Sequence, residues 1–240
     1  MQDELEDIVR GATWQNLYDC LWTIATVRYV TRQQMAKHFP DAVWRQKIAT
    51  KNKLELLVQK GFLKQSPDGV NVATSKAFSF LREHSDKNCQ IIKLPSGTGE
   101  RDSVYNSDQL LRIIQLPDFF ALFYPVFYEN KKDDQPFLIP DGAVFLKKEN
   151  MAKLVFLEIE RPKPDWQGYL EEKRWKYSLI ARRTETWSEW WKAQCEKLGI
   201  GNCTFEEFGF MVWCIGSFQD DWPGWSFSNS ITGEGIKSDE

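Results

Sequence analysis

The sequence predicts a mixed α+β / α/β protein in two parts: three helices closed by a β-hairpin, then a mixed central sheet flanked by helices. Three observations predict it. Residues 28–82 hold eleven Lys/Arg against Asp41, Glu55 and Asp68, a balance of +8 in a chain of net charge −3, so a basic segment sits in an acidic chain. Within that segment apolar residues recur at helical spacing and then alternate around Ser66, Pro67, Asp68 and Gly69. Further on, Val144–Leu146 and Leu154–Glu160 form two runs of strand formers separated by polar Lys147–Lys153, with carboxylates at their ends.

Leu17–Val27 reads as a first helix, with apolar Leu17, Leu21, Trp22, Ile24 and Ala25 at helical spacing. Thr31 is placed to cap a short second helix, RQQMAKHF, that ends near Pro40. Asp41 caps a third and longer helix from about Ala42 to Lys60, which Gly61 closes at a position favouring the left-handed conformation. Phe62–Gln65 and Val70–Ala73 then form a hairpin around the Ser-Pro-Asp-Gly turn. Three helices followed by a hairpin is the pattern of a winged helix.

Its third helix presents Arg45, Lys47, Lys51 and Lys53 around Gln46, Thr50 and Asn52, with Ile48, Leu54, Leu57 and Val58 on the core side. Cations grip phosphates and amide side chains read adenine edges, so these residues, with Lys64 on the wing, are the expected contacts to double-stranded DNA. The alternative is a winged helix used only for protein contacts. His38 and His84 lack metal-site partners by spacing and are expected at helix ends or in solvent.

Ser75 caps a helix over Lys76–Glu83, and Cys89–Leu94 is a short apolar run in an otherwise polar connection. The expected organisation is a DNA-binding domain at 1–92, a linker at 93–107, a second domain at 108–228 and a flexible tail at 229–240. In the second domain a helix starts at Ser107 or Asp108, the hairpin follows, and Trp166–Arg183 is a strong helix carrying Lys173, Lys176 and Tyr177. Thr186–Leu198 reads as a tryptophan-rich helix and Phe205–Ile215 as a central strand.

Alternation along Leu154–Glu160 puts Glu158 and Glu160 on one face and Val155, Leu157 and Ile159 on the other. Pairing the two strands brings Asp141 beside Glu158 or Glu160, a set of oxygen donors suited to Mg²⁺ or Mn²⁺. The same acids also fit a solvated strand end, paired with Arg161, Lys163 or Lys148. The arrangement Pro140-Asp141…Glu158-Ile159-Glu160 resembles the PD-(D/E)xK nuclease superfamily, with Glu160 where that superfamily has Lys. That resemblance implies metal ligands at Asp141, Glu158 and Glu160, and catalytic roles for these three, with Lys173 or Arg161 supplying the missing cation.

Taken together, Leu57, Val58, Gly61, Phe62 and Leu63, then Pro140 and Asp141, the Phe156–Arg161 run, and Lys173 with Tyr177 resemble the replication-relaxation family of mobile-element proteins. The resemblance implies a DNA-binding protein of plasmid or mobile-element replication or mobilisation whose nuclease-like domain cleaves or nicks DNA. The other class of function is a non-catalytic winged-helix regulator whose degenerate nuclease-fold domain mediates dimerisation or partner binding. Expected partners are duplex DNA, a second copy of the chain, and replication or mobilisation proteins. No run approaches the ~20 apolar residues of a membrane span. An acidic N-terminus without a signal-peptide pattern, and five cysteines with no CxxC pair, fit a cytoplasmic location.

Overall fold

The computed structural model describes residues 14–38, 47–84, 100–128, 135–148, 151–159, 165–182, 192–193, 196, 211–215, 222 and 225–228, and the helix Trp14–Val27 (α1) is the first described element. It divides into two compact units, Met1–Arg112 and Ile113–Glu240. Both are mixed α+β.

In the first unit α1 is followed by strand Tyr29–Thr31 (β1), helix Arg32–His38 (α2), helix Lys47–Gln59 (α3), strands Leu63–Gln65 (β2) and Val70–Ala73 (β3), helix Ser75–His84 (α4) and helix Glu100–Ile113 (α5). The strands form an antiparallel sheet in the order β1-β3-β2. β1 is an element that hydropathy alone does not reveal, because three residues between two helices carry no readable period. Arg28 makes it possible: at φ 76 it leaves α1 in the left-handed region and redirects the chain.

Thr31 caps α2 as expected, and the cap is reciprocal. Its Oγ1 accepts from Gln34 N at 3.2 Å while Gln34 Oε1 accepts from Thr31 N at 2.9 Å, the capping-box arrangement. At the end of α3, Gly61 N donates to Val58 O and Phe62 N to Leu57 O, both at 2.9 Å. Gly61 has φ 74, so a Schellman turn ends the helix, and Leu57 and Phe62 on either side of it are both buried. Gly69, at φ 78, turns the β2–β3 hairpin. Thr74 caps α4, its Oγ1 accepting from Ala77 N at 3.4 Å, one residue earlier than the sequence suggests.

Leu21, Ile24, Met35, Phe62, Phe80 and Leu81 fill the core of this unit. Each such side chain contributes about 1.5–3 kcal/mol through burial. Lys53 corrects the sequence reading: it is 7 % exposed and lies beside buried Cys20, so it cannot serve as a surface DNA contact. Burial lowers its ammonium from the ordinary value, and the Cys20 thiol opposes that. Arg45 and Gln46 lie outside the described residues, as does the Cys89–Leu94 run.

α5 starts at Glu100, well before the expected Ser107 or Asp108. Within the first unit, Ser107 Oγ donates to Val27 O at 3.1 Å, Asp108 Oδ2 lies 3.0 Å from Lys37 Nζ, and Asp108 Oδ1 lies 2.7 Å from His38 Nε2. These bonds tie the helix to the ends of α1 and α2. His38 is therefore a buried partner of a carboxylate at the end of α2, not a solvent group.

The second unit is built on a five-stranded sheet ordered β4-β5-β6-β7-β8: Phe119–Phe123 (β4), Gly142–Lys148 (β5), Met151–Ile159 (β6), Met211–Ile215 (β7) and Trp225–Ser228 (β8). β4, β5 and β6 are antiparallel neighbours, whereas β7 runs parallel to β6 and β8 parallel to β7, so the sheet is mixed. Parallel pairing needs a long crossover. Helix Trp166–Arg182 (α6) lies in that connection, with Tyr177 and Ile180 packed among Ala143, Phe145, Leu154, Phe156 and Val212. The expected Thr186–Leu198 helix, the first half of the Phe205–Ile215 run and the 229–240 tail lie largely or wholly outside the described residues. No described helix is long and apolar enough to cross a membrane.

Candidate functional site

The β5–β6 hairpin places the acids. Its register pairs Gly142 with Leu157, which sets Asp141 opposite Glu158 where the hairpin ends. Asp141 is fixed twice to the neighbouring strand: its N donates to Leu157 O at 3.0 Å and its Oδ2 accepts from Ile159 N at 2.8 Å. The carboxylate thus completes the ladder where a backbone carbonyl would otherwise stand. Alternation puts Leu154, Phe156 and Glu158 on the sheet face that α6 covers.

α6 supplies the partners. Lys173 and Tyr177 are one turn apart, so both side chains reach the same spot. The Lys173 ammonium bonds Glu158 Oε2, and the Tyr177 hydroxyl donates to Glu158 Oε1 at 2.7 Å. Glu158 is completely buried, and Lys173 is 12 % exposed at its side chain. Burial pushes the Glu158 carboxyl up to about 7 from an ordinary 4.5; the Lys173 charge opposes this, Asp141 adds to it, and the bonds from Lys173 and Tyr177 oppose it. Burial, reinforced by Glu158, holds the Tyr177 hydroxyl well above its usual range, so it is a donor. Lys173 also lies over the Tyr169 ring, 4.9 Å from its centroid.

The structure therefore brings Asp141, Glu158 and Lys173 together and adds Tyr177, to which the sequence reading assigns no site role. Its signal was present as the i, i+4 spacing from Lys173. Glu160 and Arg161 lie outside the described residues, and among the described residues no three His, Cys, Asp or Glu side chains converge. Glu158 does not belong to a solvated strand end.

In the first unit, Lys47, Thr50, Lys51 and Asn52 lie on α3, which the structure describes as backbone there. Lys64 is exposed on β2; Lys60 and Lys76 are exposed too, and Lys76 Nζ donates to Lys60 O at 3.0 Å. Phe62 lies beneath the Lys76 ammonium, with 4.7 Å to the ring centroid. Lys76 thus sets its charge at the C-terminal end of α3. No family model, curated protein or solved structure matches the chain.

Proposed function

We propose that the chain is a DNA-binding protein of plasmid or mobile-element replication or mobilisation, in which a winged-helix first unit brings a PD-(D/E)xK-like second unit to duplex DNA. The second unit cuts or nicks a strand with Mg²⁺ or Mn²⁺. The observation that carries this reading is the meeting of Asp141, Glu158 and Lys173 at the ends of two adjacent strands. Support for the first unit comes from the order α1-β1-α2-α3-β2-β3, the turned hairpin, and the excess of positive charge over residues 28–82.

Carboxylate oxygens are the donors a hard divalent ion takes, so Asp141 and Glu158 would be its ligands, with Glu160 as the third expected one. Such an ion supplies Lewis acidity and lowers the pKa of a bound water. Asp141 is held by the β6 backbone and keeps its position without help from the ion. Lys173, on a flexible stem with limited exposure to solvent, places its ammonium against the charge that develops on the phosphoryl group, where a lysine two residues after Glu158 is missing.

The test is nicking of supercoiled plasmid with Mg²⁺ or Mn²⁺. Asp141→Asn keeps an oxygen for Ile159 N, so it is expected to fold, to bind DNA and to lose nicking. A second reading is favoured by one observation: Lys173 and Tyr177 satisfy both oxygens of Glu158, so the buried carboxylate is accommodated by protein groups alone. In that reading the chain is a non-catalytic regulator whose second unit binds a partner or a second copy. DNA binding without nicking, in both wild type and Asp141→Asn, selects it.

A further inference from the structure

We propose that the outer side of α6, with the Phe127–Leu138 bridge beside it, is a docking surface for single-stranded DNA, on which unstacked bases lie against aromatic rings. The choice of DNA rests on the function proposed above, but the surface is independent of whether the second unit cuts. Three large apolar side chains are exposed among the described residues, and all belong to this unit: Tyr128 and Ile139 next to the bridge, and Trp175 on α6. Tyr177 and Ile180 turn from α6 into the core, whereas Trp175, at 55 % exposure, faces outward. Its ring meets Phe137 edge-on, 5.9 Å between centroids, and Phe137 N donates to Phe127 O at 2.8 Å. Helix and bridge are thereby joined into one aromatic surface.

Positive charge is fixed on it at defined points. Arg174 lies over the Trp222 ring, 4.7 Å from its centroid, and Lys176 over Phe137 at 5.7 Å, so the two residues flanking Trp175 each set a cation on a ring. A third such pair, Lys147 over Phe120 at 5.4 Å, lies against the same core that Phe137 borders. Lys176 also pairs with Glu172 at 2.7 Å, but Glu172 is exposed, and an ion pair open to water holds its lysine weakly. Rings interleaved with cations match a single strand, in which each base offers a π-face and each phosphate a charge. A duplex keeps those faces in its own stack, so it gains nothing from Trp175. A second copy of the chain fits less well: a stable interface takes roughly 800 Å² from each partner and has few charged residues at its centre, whereas Trp175 stands between Arg174 and Lys176.

The experiment measures, by fluorescence polarisation, the affinity of the full chain for labelled oligo(dT) of about 16 nucleotides and for a duplex of the same length. Trp175→Ala changes an exposed position and is expected to leave circular dichroism and duplex binding as they are, while weakening oligo(dT) binding on the order of tenfold. Trp175→Phe keeps a ring and is expected to keep most of the affinity. An abasic strand of equal length, which has the phosphates without the bases, is expected to bind wild type more weakly than oligo(dT) does. Oligo(dT) affinity unchanged in Trp175→Ala, or equal affinity for the abasic strand, overturns the proposal and leaves duplex binding and nicking standing. A wild-type dimer that Trp175→Ala converts to a monomer, seen by light scattering, overturns it in favour of a second copy, and tighter binding of oligo(U) overturns the choice of DNA.

Discussion

Glu158 concentrates the energetic tension of the second unit, because a carboxylate with no solvent exposure is tolerable only with partners for both oxygens. Tyr177→Phe removes the neutral donor to Oε1 at little steric cost. With Glu158 ionised, above its folded value of about 7, it is expected to destabilise the fold by about 1.5–3 kcal/mol, the range for a hydrogen bond to a charged group, measurable by urea denaturation at pH 8. The same carboxylate sets a pH dependence. Folded Glu158 holds its proton up to about 7 whereas the unfolded carboxyl ionises near 4.5, so between these values the folded chain binds more protons. Its contribution is full below about 4.5 and is lost as pH rises through about 7. Urea denaturation at pH 5 and pH 8 is expected to show the loss, about 1–3 kcal/mol, and Glu158→Gln is expected to flatten it. A slope unchanged in Glu158→Gln would assign the effect to other groups.

Among the elements, two joints in the first unit carry stability out of proportion to their size. Gly61 ends α3 at φ 74 with open space where a methyl group would stand, so Gly61→Ala has no clash and its cost is conformational alone. About 1–2 kcal/mol is expected, measurable by urea denaturation. The second joint is Asp108. Burial pushes its carboxyl up, but hydrogen bonds from His38 and Lys37 and their charges outweigh that and hold it below the ordinary range. Its contribution is therefore present above the ordinary carboxyl value near 3.8 and is lost as pH falls through the lower folded value. Asp108→Ala leaves buried His38 without this partner and is expected to cost about 1–3 kcal/mol, with α5 losing hydrogen-exchange protection first.

For the molecule as a whole, α5 changes the extent of the piece proposed to bind DNA. Ser107 and Asp108 bond to Val27, Lys37 and His38, so a fragment cut at residue 92 lacks a helix of its own unit. Residues 1–112 are expected to melt at a higher temperature than residues 1–92 and to bind duplex DNA, with a log–log salt slope of roughly −0.9 for each phosphate contact. Replacing Lys47, Lys51 and Lys64 together with Ala is expected to weaken that binding and reduce the slope while leaving circular dichroism unchanged. Salt-insensitive binding, or equal binding by residues 113–240 alone, would place the DNA surface elsewhere.

Elements whose signals are local can be read from the chain before it folds. Helix caps at Thr31 and Gly61, the Ser66–Gly69 turn, the β5–β6 hairpin and α6 are all legible because each depends on residues within a few positions of one another. Alternation likewise assigned Glu158 to the face opposite Val155, Leu157 and Ile159, and hairpin pairing set Asp141 near it. Whatever depends on distant partners was settled only by packing. β1 exists because β3 pairs with it, with Asn71 Nδ2 donating to Val30 O at 3.1 Å across that pair. β4 and β8 are strands because they border the sheet, and Lys53 is internal because α3 turns that face toward Cys20. Glu158 is buried because α6 folds back over it and brings Lys173 and Tyr177 to its oxygens. A carboxylate's spacing in sequence shows which way it points; whether it meets water, a metal or an ammonium is set by the helix that covers it.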